Sequence, residues 1–171
     1  MGGCIDVESV HGEGSTFTFR LPFKVNDVLI QKEERNESSE KPLAGMHFLL
    51  AEDNEINMEI AEFYLTDLGA TVSKAWNGKE ALELFEASEP ESYDVILMDV
   101  MMPEMDGHEA TQRIRALKRP DTQTVRIVAM TAQTSEDSIH KCLDAGMDGH
   151  IAKPINEEKI LSALHKNIET E

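Results

Sequence analysis

The sequence predicts an α/β protein whose core is a doubly wound, five-stranded parallel sheet with helices on both faces. Two observations predict this fold class: five short apolar runs alternate with five helix-length segments, and the runs are apolar throughout. Alternating strands and helices are typical of repeated βαβ units, and strands buried on both faces need apolar side chains at every position. With 171 residues, 40% of them hydrophobic, the chain is long and apolar enough to bury such a core.

The first 23 residues predict a short β-hairpin ahead of this sheet. Residues 2–10 and 16–22 alternate apolar and polar side chains on either side of a glycine-rich turn at residues 11–15. The candidate inner-face residues are Ile5, Val7, Phe17, Phe19 and Leu21. Two strands alone are marginally stable in water, so we expect the hairpin to pack on another element or to belong to a larger sheet.

A linker at residues 24–45 and a globular domain at residues 46–171 are predicted next. Residues 31–42 are rich in charge and serine and almost free of apolar side chains, as linkers are. In the domain, strands are expected at residues 46–51, 70–75, 94–98, 125–130 and, weakly, 150–152. Helices are expected at residues 55–68, 78–87, 107–117, 135–145 and 156–168, the first and the fourth closed by Gly69 and Gly146.

The formal charge of −17 lies mostly in residues 46–171. This acidity, without a lysine and arginine cluster, argues against nucleic-acid or anionic-membrane binding and suits divalent cations and basic partners. Two distant cysteines, Cys4 and Cys142, do not make the disulfide framework of a secreted scaffold. No apolar run reaches the roughly 18 residues of a membrane helix. We therefore expect a cytoplasmic protein without direct membrane contact.

Polar side chains follow the strands at the edge where ligands bind in open α/β sheets. Glu52 and Asp53 follow the first strand of the sheet, Asp99 the third, Thr131 the fourth and Lys153 the fifth. Three converging carboxylates raise one another's pKa unless they share a cation, and hard oxygen ligands of this kind suit Mg²⁺.

The lysine indicates a second ligand, because an ammonium beside a metal site is suited to an anion such as a phosphoryl group. A carboxylate can also attack phosphorus and form an acyl phosphate. Asp99 is the candidate nucleophile, because it ends the central strand and Pro103 stops the following loop from continuing as strand or helix.

Residues 46–168 resemble the receiver domain of two-component signalling. The resemblance is carried by Glu52-Asp53, by DVILMDVMMPEMDG at residues 94–107, by MTA at residues 130–132 and by Lys153-Pro154. Every motif stands at the expected spacing. The resemblance implies a flavodoxin-like fold with strand order 2-1-3-4-5, and it implies that Asp99 accepts a phosphoryl group from a phosphohistidine.

The resemblance also implies the other roles in the site. Mg²⁺ is expected on Asp53, Asp99 and the backbone carbonyl of Met101, with Glu52 contributing through water. Lys153 is expected to contact the phosphoryl oxygens. A switch is expected too: Thr131 would move to hydrogen-bond the phosphoryl group, and His150 stands where the family often has an aromatic residue that turns inward.

Residues 1–23 resemble the closing strands of a histidine-kinase ATP-binding domain. The boxes that hold Mg-ATP in that family are absent from the sequence, so we do not expect ATP binding or autophosphorylation. The order of kinase remnant, linker and receiver implies the C-terminal fragment of a hybrid sensor histidine kinase, and a membrane-anchored parent is compatible with that order.

The predicted function is a phosphorelay receiver that serves a histidine-kinase transmitter or a histidine phosphotransfer protein. One alternative is a metal-dependent aspartyl phosphatase, which would carry a second aspartate where Met101 stands; the other is a non-signalling scaffold. On the first helix, Ile56, Ile60 and Phe63 form one apolar stripe, and a neighbouring stripe is formed by Ala61, Leu65 and Leu68. Either part of this apolar surface docks a helical phosphotransfer partner, or both stripes pack into the helix's own sheet.

Overall fold

The computed structural model describes residues 2–12, 14–22, 41–132 and 135–165, and of residue 165 it describes the backbone alone. The hairpin and the α/β domain form separate units. The predicted linker at residues 24–45 lies outside the described residues except for its last five, which form turns ahead of the sheet.

The predicted hairpin is present, with β1 at Cys4–Val10 and β2 at Gly14–Arg20 paired antiparallel. Ile5 faces Phe19 and Val7 faces Phe17 across the ladder, so these four apolar side chains share one face. All four are exposed, Phe19 by 66%. Cross-strand pairs therefore fix the register, and the apolar face expected to be an inner one is open in the described structure.

The α/β domain is built on the predicted parallel sheet. Its strands are β3 (His47–Ala51), β4 (Thr71–Ala75), β5 (Val95–Asp99), β6 (Arg126–Thr131) and β7 (Gly149–Ala152). Their spatial order is β4-β3-β5-β6-β7, with every neighbouring pair parallel. Counted from β3, this is the order 2-1-3-4-5, so the predicted topology is confirmed.

Five helices alternate with the strands, within two residues of the predicted bounds in the described part of the chain. They are α1 (Glu55–Asp67), α2 (Gly78–Ala87), α3 (Gly107–Ala116), α4 (Glu136–Asp144) and α5 (Glu157–His165). The end of the predicted fifth helix, residues 166–168, lies outside the described residues. A 3₁₀ helix at Pro120–Gln123 was not predicted. None of the described helices is long and apolar enough to cross a membrane.

The core consists of two apolar layers, one on each face of the sheet. Val95 and Leu97 of β5 belong to the layer beneath α1 and α5, whereas Ile96 and Met98 belong to the layer beneath α2 and α3. All five residues of β5 are buried. The continuous apolar run in the sequence therefore arises because alternate side chains fill two different cores.

Side-chain caps start four helices in the segments that follow the strands. Asn54, Asn77, Asp106 and Ser135 each accept a hydrogen bond from a backbone N–H of the first turn that they cap. Each cap follows the carboxyl end of β3, β4, β5 or β6. These short capped connections fix the edge of the sheet on which the functional side chains lie.

Candidate functional site

Three carboxylates meet at the carboxyl edge of the sheet. Glu52 and Asp53 follow β3, and Asp99 is the last residue of β5, next to β3 in the sheet. One oxygen from each lies within 4.8 Å of the others. Glu52 and Asp99 are buried, whereas Asp53 is exposed. Oxygen ligands that are buried on one side and open to solvent on the other fit a hydrated cation such as Mg²⁺.

Lys153 bridges the two buried carboxylates. Its Nζ donates to Glu52 Oε2 at 2.6 Å and to Asp99 Oδ2 at 2.7 Å. Its backbone N–H donates to the carbonyl of Thr131 at 2.8 Å, which ties β7 to β6 beside the site. One ammonium between two carboxylates leaves a net negative charge, so this part of the site attracts a further cation.

Burial and hydrogen bonding act against each other in this pair. Burial raises the pKa of Asp99 above its usual value, and the hydrogen bond from Lys153 opposes that rise only in part. Burial works to lower the pKa of Lys153, but its hydrogen bonds to Asp99 and Glu52 outweigh burial and raise it. Lys153 therefore remains charged, and it favours the ionised form of Asp99 that a nucleophile requires.

The loop after Asp99 folds back onto the end of β5. The backbone N–H of Met101 donates to Asp99 Oδ1 at 3.2 Å, and the Gly107 N–H donates to the Val100 carbonyl at 3.1 Å. A Cβ at Gly107 would stand 2.2 Å from the Asp99 carbonyl oxygen. Glycine is required there by this close approach, which brings the start of α3 against the strand end.

Thr131 and Lys153 share a cavity with Asp99. The cavity has a volume of about 290 Å³ and is also lined by Met101, His108, Lys141 and Cys142. The Thr131 side chain is buried at the end of β6. His150 lies on β7 beside Ala129, is half-buried, and does not line this cavity. The structure therefore brings together all the predicted site residues except His150.

Sequence reasoning missed Asn57, which reaches the site from α1. Its Nδ2 donates to Glu52 Oε1 at 2.9 Å, while its backbone N–H donates to the cap residue Asn54. The signal that could have found it is its spacing. A polar residue three positions after a helix cap faces back toward the strand end that precedes the helix.

The structure separates the two apolar stripes of α1. Ala61 and Leu65 are buried in the core, whereas Ile56, Ile60 and Phe63 are 67%, 42% and 63% exposed. The alternative in which both stripes pack into the helix's own sheet is therefore wrong. An exposed apolar stripe remains on the helix that begins beside Asp53.

Comparisons with known proteins agree with this geometry. The family model described as the response regulator receiver domain matches residues 48–165, more than half of the chain. A probable histidine kinase 2 of Oryza sativa subsp. indica is 42% identical over 137 residues, covering 74% of this chain and 13% of that protein. The aerobic respiration control sensor protein ArcB of Escherichia coli K12 is 33% identical over 171 residues, covering 100% of this chain and 21% of that protein.

Solved structures of receiver domains also match this chain. The receiver domain of the sensor histidine kinase PA1611 of Pseudomonas aeruginosa, solved with a magnesium ion in its active-site cleft, is 36% identical with a TM-score of 0.64, covering 72% of this chain and 97% of that one. The receiver domain of Saccharomyces cerevisiae Ssk1, solved with the histidine phosphotransfer protein Ypd1, is 30% identical with a TM-score of 0.61. This match covers 68% of this chain and 83% of that one. This chain spans about a fifth or less of the curated relatives reported above.

Proposed function

Because this chain belongs to the response regulator receiver domain family, we propose that it accepts a phosphoryl group from a phosphohistidine onto Asp99 and passes the signal to a partner protein. The observation that carries this proposal is the placement of Lys153, whose ammonium joins Asp99 to Glu52 beside the exposed carboxylate of Asp53. A nucleophile, a cation site and a fixed positive charge are the elements that phosphoryl transfer requires.

In the proposed step, a carboxylate oxygen of Asp99 attacks phosphorus while the bond from phosphorus to the donor nitrogen breaks. The donor leaves as imidazole and Asp99 becomes an acyl phosphate. Mg²⁺, when bound, would neutralise charge on the transferring group. Asp53, Asp99 and the Met101 carbonyl would hold the ion, with Glu52 acting through water. Lys153 keeps Asp99 ionised before transfer and then binds the phosphoryl oxygens. Its hydrogen bonds to Asp99 and Glu52 are therefore replaced by hydrogen bonds to the phosphoryl group.

Thr131 is proposed to move and hydrogen-bond the phosphoryl group once Asp99 is phosphorylated. Its buried hydroxyl lines the same cavity as Asp99, so a phosphoryl group placed there would lie within the space that Thr131 borders. The added charge of about −1.5 to −2 needs local hydrogen-bond donors. His150 is proposed as the second switch position, reached through the ladder between β6 and β7 rather than through the cavity.

The exposed stripe on α1 is proposed to dock a histidine phosphotransfer protein. Ile56, Ile60 and Phe63 present apolar surface next to the site, and Glu55 and Glu59 stand exposed on the same helix. A partner that fits this surface has an apolar patch with basic residues around it. The structure of Ssk1 with Ypd1 supports this class of partner, because it pairs a related receiver with a phosphotransfer protein.

We further propose that the parent is a hybrid histidine kinase working in the cytoplasm, divided here into a kinase remnant at residues 1–23, a linker at 24–45 and the receiver at 46–171. The match to ArcB over the whole chain supports this order. Neither an aspartyl phosphatase nor a silent scaffold is favoured. Met101 is 78% exposed and offers no general acid, and the proximity of the three carboxylates, Thr131 and Lys153 supports a receiver.

Acetyl phosphate labelling separates these functions. We expect Mg²⁺-dependent labelling to a stoichiometry of one, lost in Asp99→Asn and kept in the matched control Asp106→Asn, which leaves a capping side-chain oxygen at the start of α3. Many turnovers of acetyl phosphate per protein would identify a phosphatase. No Mg²⁺-dependent labelling would identify the scaffold.

A further inference from the structure

Glu52 is held from two opposite sides. The residue is 1% exposed. Its Oε2 accepts from the Lys153 ammonium at 2.6 Å, and its Oε1 accepts from the Asn57 amide at 2.9 Å. These contacts differ in kind, because the lysine neutralises the carboxylate whereas the amide leaves its charge intact.

The amide is anchored independently of the site. Asn57 lies in the first turn of α1, where its backbone N–H donates to Asn54 Oδ1 at 3.1 Å. The cap therefore fixes the backbone from which the Asn57 side chain reaches Glu52. This arrangement holds the amide in place whether or not Lys153 is bound to Glu52.

We propose that Asn57 is a positioning residue that orients the Glu52 carboxylate for the metal site. The inference rests on the proposed function, in which Lys153 turns from the carboxylates to the phosphoryl oxygens. When the lysine turns away, Glu52 loses its charged partner, and among the contacts of the described residues the Asn57 amide is the side-chain donor that remains. Asn57 keeps the carboxylate oriented through this exchange while its negative charge stays available to the cation.

A small cavity beside Glu52 offers the carboxylate another orientation if the Asn57 amide is removed. Glu52, Asn57, Ile60 and Lys153 line a space of about 40 Å³, large enough for a water molecule. Without the amide, the carboxylate is held through Oε2 alone, so Oε1 can swing toward this space and away from the metal site. The expected consequence is weaker binding of Mg²⁺, of the size that outer-shell partners of metal ligands usually show, about tenfold.

Calorimetric titration of the full chain with Mg²⁺ alone tests the proposal. Asn57→Ala and Asn57→Leu remove the donor, and the leucine keeps the volume, so we expect both to weaken Mg²⁺ about tenfold. Thermal unfolding in EDTA should show a modest loss of stability, because Glu52 Oε1 loses its donor while Lys153 still holds Oε2. Gln112→Ala, which removes an exposed amide from α3, is the matched control and should bind Mg²⁺ as the wild type does.

A double-mutant cycle with Glu52→Gln shows whether Asn57 acts through Glu52. We expect Asn57→Ala to have less than a twofold effect on Mg²⁺ affinity in the Glu52→Gln background. An equal loss in both backgrounds, or wild-type affinity in both Asn57 variants, would overturn the inference. A wild-type chain that binds no Mg²⁺ would instead overturn the proposed function, so the two failures are distinguishable.

Discussion

The ammonium of Lys153 lies 2.7 Å from Asp99 Oδ2, at the edge of the sheet where β5 and β7 end on either side of β6. The two residues are 54 positions apart in the chain and meet only because the parallel sheet brings both strand ends to one edge. The contact favours the ionised form of Asp99, and in the proposed function it supplies the positive charge that the phosphoryl group needs.

Replacing this lysine should slow the chemistry more than it disturbs the fold. In Lys153→Met, burial acts on the pKa of Asp99 without the opposing hydrogen bond, and the phosphoryl oxygens lose their ammonium. We expect the rate of acetyl phosphate labelling to fall about a hundredfold. Lys79→Met, which alters an exposed helix lysine, is the control. A Lys153→Met variant that labels within threefold of the wild-type rate would contradict the role given to the lysine.

Gly107 should be intolerant of a side chain. Alanine usually stabilises a helix position relative to glycine by about 1 kcal/mol, but a Cβ here would stand 2.2 Å from the Asp99 carbonyl oxygen. We expect Gly107→Ala to lower the free energy of unfolding by about 1–3 kcal/mol through overpacking, measured by urea denaturation. Gly149→Ala, where a Cβ would meet no heavy atom within 4 Å, should not destabilise. Equal effects at the two glycines would refute the close approach.

The α1 stripe should control partner binding without affecting acyl phosphate formation. Phe63→Ala removes a side chain that is 63% exposed, so we expect unchanged stability and unchanged labelling by acetyl phosphate. Affinity for the cognate histidine phosphotransfer protein should fall about tenfold or more, as it does at an interface hot spot. Leu143→Ala on α4, with a leucine that is 49% exposed, is the matched control. If the Leu143 variant loses as much affinity as the Phe63 variant, the docking surface lies elsewhere.

Asp121 should make stability depend on acid pH. Arg119 forms a bidentate pair with it at 2.7 and 2.8 Å and holds its pKa at about 2 instead of 3.8. A lowered pKa means that the contribution is present above about pH 4 and disappears as the pH falls toward 2. We expect Asp121→Asn to lower the unfolding free energy by about 2 kcal/mol at pH 7 and by much less near pH 2.

Urea denaturation across this range measures the effect, with the exposed Asp144→Asn as control. A gap between wild type and Asp121→Asn that stays constant from pH 7 to pH 2 would show that the ion pair does not carry the stability.

Sequence patterns predicted the parallel sheet and the convergence of Asp53, Asp99 and Lys153, because strand ends in a parallel sheet share one edge. The strand order was implied by the resemblance to receiver domains. They could not predict contacts that depend on tertiary packing. One example is Arg119, which pairs with Asp121. Its guanidinium also donates to the carbonyls of Ser88 and Glu89 after α2, about thirty residues earlier in the chain. Which stripe of α1 faces solvent depends on how the helix is rotated about its axis, and Ile56 and Leu65 look alike in the sequence.

The central claim, that Asp99 is the phosphoacceptor, is tested most directly by trapping the acyl phosphate. The chain is labelled with acetyl phosphate and Mg²⁺, reduced with borohydride, digested and mapped by mass spectrometry, because borohydride converts an aspartyl phosphate to homoserine. We predict homoserine at position 99, with Asp53 and Asp106 unchanged. Reduction at another carboxylate, or a label that survives in Asp99→Asn, would contradict the account.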